Sequence, residues 1–175
     1  TDATGHVEGF FDIPDPTVIG NPRFATGEVE FRLTSSTTDV RTTDPDTFGT
    51  AYYQAKGKVS KTKFIGRSRG YHGSGFGGTS VGGIVANRQQ YGNLLNGVIH
   101  LPHTHIPAKN SFSWGQPKHG KEKADALNEI IDFHGKETIA AVIVEPIAGS
   151  TGVLVPPQGY LEKLRKICSE NDILL

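Results

Sequence analysis

The chain has no methionine and only one cysteine, Cys168, in 175 residues. A single thiol cannot close an internal disulfide, which excludes a disulfide scaffold and makes a reducing cytoplasm the compatible compartment. Neither sign of charge is in excess, since eighteen basic side chains balance eighteen acidic ones. No net field recruits nucleic acid or an anionic membrane, and no dense Lys/Arg run supplies a local one. Long apolar runs are missing too. A spanning helix needs ~20 consecutive apolar residues, and neither such a run nor a secretory signal is present. A cytoplasmic, soluble protein with no nucleic-acid or membrane partner is therefore expected. The chain starts at Thr1 and stops at Ile173-Leu174-Leu175, where a new apolar run opens, so both ends are expected to be cut. What remains is long enough for about one domain with a sizeable core.

The most informative stretch runs from Ile139 to Gly152. Six apolar residues, Ile139 to Val144, stop on Glu145 and are followed at once by Pro146. A short apolar run with no polar alternation fits a parallel strand covered on both faces. Pro146 then ends ladder pairing. Ligands of open α/β sheets sit beyond the carboxyl ends of the strands, so Glu145 is placed to touch a cofactor. The alternative is that Glu145 caps or pairs locally.

Two styles of sequence share the chain. Residues 1–48 are rich in Thr, Asp, Pro and Gly, with turn signals at Pro14-Asp15-Pro16, Gly20-Asn21-Pro22 and Asp44-Pro45-Asp46. Alternation over Glu28 to Thr34 predicts a half-buried antiparallel strand, and Gly9 to Pro16 reads as a loop. From about Thr50 the pattern predicts a short helix to Ala55, a strand near Lys63 to Gly66, and a helix over 121–134 with Gly135 as its cap. The strand 139–144 comes next, then a helix from Pro157 to Asn171, and another strand begins at Ile173. Cys168 falls on the apolar side of that last helix, as a core residue and not a nucleophile. Helix, strand, helix, strand is the rhythm of a parallel α/β sheet with right-handed crossovers.

Gly73-Ser74-Gly75-Phe76-Gly77-Gly78 matches the G-x-G-x-x-G spacing of dinucleotide sites, which require a strand before it and a helix opening on it. The glycines and the β-branched residue that come after, Thr79 to Gly83, argue against an immediate helix. Glycines at this density instead permit close approach by another chain or a ligand. His100, His103 and His105 invite a metal reading, but Pro102 interrupts them and no cysteine or carboxylate is near, so a loop held by imidazole hydrogen bonds is expected. Tyr71, after Phe64 to Gly70, stands at a strand exit, where a ring can lie on a planar cofactor or simply pack. One exit offering a ring and another offering a carboxylate suit a planar, positively charged heterocycle.

Four motifs, taken in order, resemble class III aminotransferases, and their β-alanine:pyruvate (ω-amino acid) branch above all. They are Arg67-Ser68-Arg69-Gly70-Tyr71-His72-Gly73, Phe76 to Gly83, His100-Leu101-Pro102-His103-Thr104-His105, and Val144-Glu145-Pro146-Ile147-Ala148-Gly149-Ser150-Thr151-Gly152-Val153. The likeness covers Ala51 to Leu175. It implies an α/β fold, part of the fold type I pyridoxal-phosphate transferase large domain, with a mostly parallel sheet and flanking helices. It implies pyridoxal 5'-phosphate as cofactor, an amine and a keto acid such as pyruvate as substrates, and a homodimer with sites at the subunit interface. It further implies that Tyr71 stacks on the pyridine ring with His72 beside it. Glu145 would lie close to the aspartate that pairs with the pyridinium nitrogen, and Ile147 and Ala148 near the substrate side. Ser36 to Phe48 shows no Gly-Ser phosphate cup, the pairing aspartate is expected soon after Leu175, and the Schiff-base lysine later still. Without that lysine the chain as given is expected to be inactive.

Residues 1–48 do not resemble this family. Gly9 to Pro16, Asn21 to Gly27 and the strand Glu28 to Thr34 are similar to segments of tailed-phage virion structural proteins, tail or baseplate components. The expected organisation is thus a β/loop segment of separate origin over 1–48 and a truncated transferase domain over 49–175. Such a join reads as an assembly artefact more readily than as a natural fusion. Open sheet edges and uncovered apolar faces predict a poorly soluble product. A phage structural protein remains the alternative identity, and a dinucleotide-binding domain rests on glycine spacing alone.

Overall fold

A computed structural model describes residues 6–10, 30–34, 50 and 52–175. The chain divides into two compact units, Thr1–Thr47 and Phe48–Leu175. In the first, β1 (His6–Phe10) pairs antiparallel with β2 (Glu30–Thr34), Val7 opposite Leu33 and Gly9 opposite Phe31. Over Glu30 to Thr34 the alternating stretch is therefore a strand, and Glu28 and Val29 lie outside the described residues. Gly9 and Phe10, expected in a loop, belong to β1. Glycine disfavours strands locally, and only the distant partner β2 supplies the ladder that overrides it.

The second unit is built on a parallel sheet in the order β4-β3-β5, with β3 at Lys63–Arg67, β4 at Val98–Leu101 and β5 at Ile139–Val142. Leu174 continues it beside β5, its N–H bonded to the Ala140 carbonyl and its carbonyl to the Val142 N–H. The expected strand 139–144 leaves the ladder two residues early, although the Ile143 N–H still reaches the Ile65 carbonyl at 2.8 Å.

Both faces of the sheet are covered. On one, Ile65, Leu101, Ile139 and Val142 meet Leu127 and Ile131 of α4 (Ala126–His134) and Leu164, Ile167 and Cys168 of α5 (Tyr160–Glu170). On the other, Tyr53, Phe64 and Ala140 pack with Val81 at the end of α1 (Phe76–Val81). Shorter helices α2 (Val85–Gln89) and α3 (Pro107–Asn110) lie between α1 and α4 in the chain. The helix expected over 121–134 opens with a 3-10 turn, Lys121–Asp125, before α4. α5 starts at Tyr160, later than expected, because Gly159 stands at φ 74, outside helical geometry. At the amino ends of the strands, Lys61 is buried and its Nζ donates to the carbonyls of Lys136, Ile139 and Asp172 at 2.7 to 2.9 Å. Three acceptors satisfy an ammonium that burial would otherwise penalise.

The helix α1 corrects the expectation that the glycine-dense stretch would not turn helical. Its propensity is poor, but packing supplies most helical stability in proteins. Here glycine is what permits that packing. A Cβ on Gly78 would stand 2.4 Å from the His72 carbonyl oxygen, and one on Gly66 would stand 2.0 Å from that of Val81. The partner approached so closely is this chain's own backbone.

Gly83 is tighter still in number of contacts, since a Cβ there would meet the Arg67 carbonyl oxygen at 2.2 Å, Ser68 Cα at 2.6 Å and Arg69 N at 2.7 Å. Overpacking costs ~1–3 kcal/mol, and backbone atoms yield least, so Gly83→Ala is expected at or above the top of that range in a urea melt. An unchanged midpoint would contradict this contact.

Candidate functional site

β3 ends on Arg67, and the chain turns back through a Gly70 N–H to Arg67 carbonyl bond of 2.9 Å. This exit is tied to the segment after α1 by two bonds of 2.8 Å, Arg69 N–H to the Gly83 carbonyl and Gly83 N–H to the Gly70 carbonyl. Arg69 itself adopts φ 67. The exit of β5 delivers Val144, Glu145 and Pro146, followed by a hairpin closed between Ala148 and Leu154. Both exits lie at the carboxyl end of the parallel sheet, where ligands of such sheets bind.

Glu145 joins them. One carboxylate oxygen, Oε2, accepts the Tyr71 N–H at 2.8 Å, and the other, Oε1, accepts the Gly149 N–H at 3.2 Å. Its own carbonyl accepts Nη2 of Arg67 at 2.8 Å. The Thr151 hydroxyl adds a further crossing bond of 2.9 Å to the Arg69 carbonyl. Charge-assisted bonds of this kind are the stronger ones, so the two loops are held as one surface.

The structure thus brings Tyr71, His72 and Glu145 to one place. Tyr71 is 40% exposed. His72 is half-buried, and its Nε2 is buried without a hydrogen-bond partner among the described residues. Burial pushes the His72 imidazole below its usual range, with Arg67 and His100 adding to the shift and Glu145 opposing it. Ile147 is half-exposed, whereas Ala148 is buried in the hairpin. Arg67 and Thr151 were not singled out from sequence. A basic residue closing an otherwise apolar strand, Phe64-Ile65-Gly66-Arg67, was the available signal for the first.

The other candidates resolve differently. His100, expected in a loop, lies in β4, and its Nε2 sits 2.9 Å from the Gly82 carbonyl. His103 Nδ1 accepts the His105 N–H at 3.2 Å. Among the described residues no group of three or more His, Cys, Asp or Glu is arranged to hold a metal. The G-x-G-x-x-G glycines do open a helix, but the backbone of His72 occupies the space that Gly78 provides. Cys168 is buried, with its thiol pushed up to about 11, as suits a core residue. The stretch Ser36 to Phe48, read as lacking a phosphate cup, lies outside the described residues.

A family model for aminotransferase class-III matches residues 47–175. The omega-aminotransferase of Caulobacter vibrioides is 61% identical over 125 residues, 71% of this chain and 28% of that protein. The omega-amino acid–pyruvate aminotransferase of Pseudomonas putida is 52% identical over 126 residues, with the same two coverages. Among solved structures, the omega transaminase from Pseudomonas jessenii in complex with PMP superimposes with a TM-score of 0.65 at 35% identity, over 73% of this chain and 28% of that one. The chain therefore spans little more than a quarter of the length of these relatives. The phage alternative draws no support from these matches.

Burial also lowers the His100 and His103 imidazoles. A histidine whose folded value lies below the unfolded one binds fewer protons when folded, so stability falls with pH below ~6.5. Melting of the intact protein is expected at lower temperature at about pH 5.5 than at about pH 7.5, with a shallower dependence in His72→Gln. An identical slope in that variant would contradict the buried, neutral His72.

Proposed function

The chain belongs to the class-III aminotransferases, and on that premise we propose that the intact protein moves an amino group from an ω-amino acid or amine to a keto acid such as pyruvate. Its cofactor is pyridoxal 5'-phosphate, in keeping with the family and with the solved relative in complex with PMP. The observation that carries this reading is the Tyr71 N–H bond to the Glu145 carboxylate, which ties the main chain of an exposed tyrosine to an acidic group at the carboxyl end of the sheet.

The residues present fit the pyridine end of that cofactor. Tyr71 offers a ring for stacking, His72 an unpaired buried nitrogen, and Glu145 a carboxylate already oriented by two N–H groups. Tyr71 would hold the ring by its face, with His72 beside it. Glu145 would contribute negative potential on that side, and Ile147 would border the substrate, with the buried Ala148 behind it in the hairpin. When bound, pyridoxal phosphate supplies the electron sink, while the protein supplies orientation and electrostatics. A His72 kept neutral by burial adds no competing positive charge next to the ring.

The same proposal covers setting and assembly. The protein works in the cytoplasm as a homodimer on small-molecule amines and keto acids, with neither nucleic acid nor membrane as partner. Balanced charge supports this, and no helix among the described residues is long and apolar enough to cross a membrane. Phe112 and Trp114, 98% and 99% exposed, are apolar surface that a subunit interface would cover. Residues 1–48 form a segment of separate origin, a division supported by a family match that begins at residue 47.

Intact protein reconstituted with pyridoxal phosphate is expected to form alanine from pyruvate and an ω-amino acid. Loss of a stacking contact worth ~1 kcal/mol should weaken cofactor retention about fivefold in Tyr71→Ala. No alanine from any amine would overturn the function, and unchanged retention would overturn the role of Tyr71.

A further inference from the structure

Arg67 is only 2% exposed, and among the described residues no carboxylate forms an ion pair with it. A buried guanidinium is costly unless its donors are used. Nη2 donates to the Glu145 carbonyl at 2.8 Å, Cζ lies 5.7 Å from the centre of the Tyr160 ring, and Nη1 has no hydrogen-bond partner among the described residues. The bond to Glu145 and the contact with Tyr160, whose ring and hydroxyl both face this guanidinium, help hold the charge in place.

The partner is informative, because Glu145 grips the β3 exit twice. Its carbonyl takes Arg67, and its carboxylate takes the N–H of Tyr71, four residues further on. The turn between them is closed by the Gly70 N–H to Arg67 carbonyl bond. A main chain anchored at its carbonyl has little freedom left, so the carboxylate can reach only a small region. That region contains the Tyr71 and Gly149 N–H groups.

We propose that Arg67 is a positioning residue of the class-III site: by holding the Glu145 main chain it sets where the Glu145 carboxylate and, through the Tyr71 N–H, the start of the Tyr71-His72 segment stand. Its catalytic meaning rests on the cofactor reading of Tyr71 and Glu145, whereas the clasp does not. Arginine is required because a lysine ammonium is a compact point charge on a flexible stem and lacks the planar fork.

The test is NMR on the intact protein and its Arg67→Met and Arg67→Lys variants. Methionine removes the buried charge and the donor while keeping an apolar stem. In Arg67→Met the Tyr71 amide proton is expected to lose its downfield shift and its protection from exchange, while the Leu164 amide in α5 is unchanged. His72 faces Glu145, Arg67 and His100, so its titration should move to higher pH in Arg67→Met and return towards wild type in Arg67→Lys. Arg67→Lys should leave the Tyr71 amide unrestored. A Tyr71 amide unmoved in Arg67→Met would overturn the proposal. Should that variant not fold, the wild-type chain decides: a through-hydrogen-bond coupling between Arg67 Nη2 and the Glu145 carbonyl carbon is expected, and its absence overturns the clasp. If the amide moves as expected but intact protein retains no pyridoxal phosphate, the cofactor reading falls and the clasp stands.

Discussion

A carboxylate accepts hydrogen bonds and donates none, and at the carboxyl end of this sheet Glu145 spends both its oxygens on main-chain N–H groups from two loops. Everything distinctive about the site depends on that constraint. β3 and β5 are neighbours in the sheet, so their exits leave side by side, but parallel pairing ends at Arg67 and Val142 and does not order the loops beyond them. The Glu145 carboxylate and carbonyl, with the Thr151 hydroxyl, extend the pairing into those loops by other means. The exposed Tyr71 ring and the half-buried His72 inherit their positions from it.

The rest of the unit explains why the exits can come so close. Gly66, Gly78 and Gly83 lie where any side chain would collide with backbone of the β3 exit or of α1. They draw α1 onto one side of the exit, while α4 and α5 cover the other face of the sheet with Leu127, Ile131, Leu164 and Ile167. Lys61 performs at the amino ends of the strands a service comparable to that of Glu145 at the carboxyl ends: one charged group, opposite in sign, satisfied by several main-chain partners. The sheet is thus tied at both ends by buried or half-buried charge with several main-chain partners.

Much of this was legible in the sequence because it is local. The run Ile139 to Val144 announces a buried strand by its unbroken apolarity, Pro146 announces its end, and the carboxylate between them marks the exit. α4 and α5 follow from apolar spacing, and Cys168 from its place in that spacing. What escaped depends on contacts distant in the chain. The helix α1 defies glycine propensity because the β3 exit packs against it, and β1 needs β2 to exist. Likewise His100 is a strand residue because β4 pairs with β3, despite Pro102 two residues on. Arg67 was visible as a residue but not as a link, since its partner lies 78 positions away. The aminotransferase motifs pointed to Tyr71, His72 and Glu145 through resemblance, and the geometry supplies the physical reason why these three stand together.

The measurement that bears most directly on this account is a crystal structure of the intact protein with pyridoxal 5'-phosphate bound. It should show the pyridine ring lying on Tyr71, with the Glu145 carboxylate still accepting the Tyr71 N–H. A cofactor seated away from the β3 and β5 exits, or a Glu145 turned out of that bond, would contradict it.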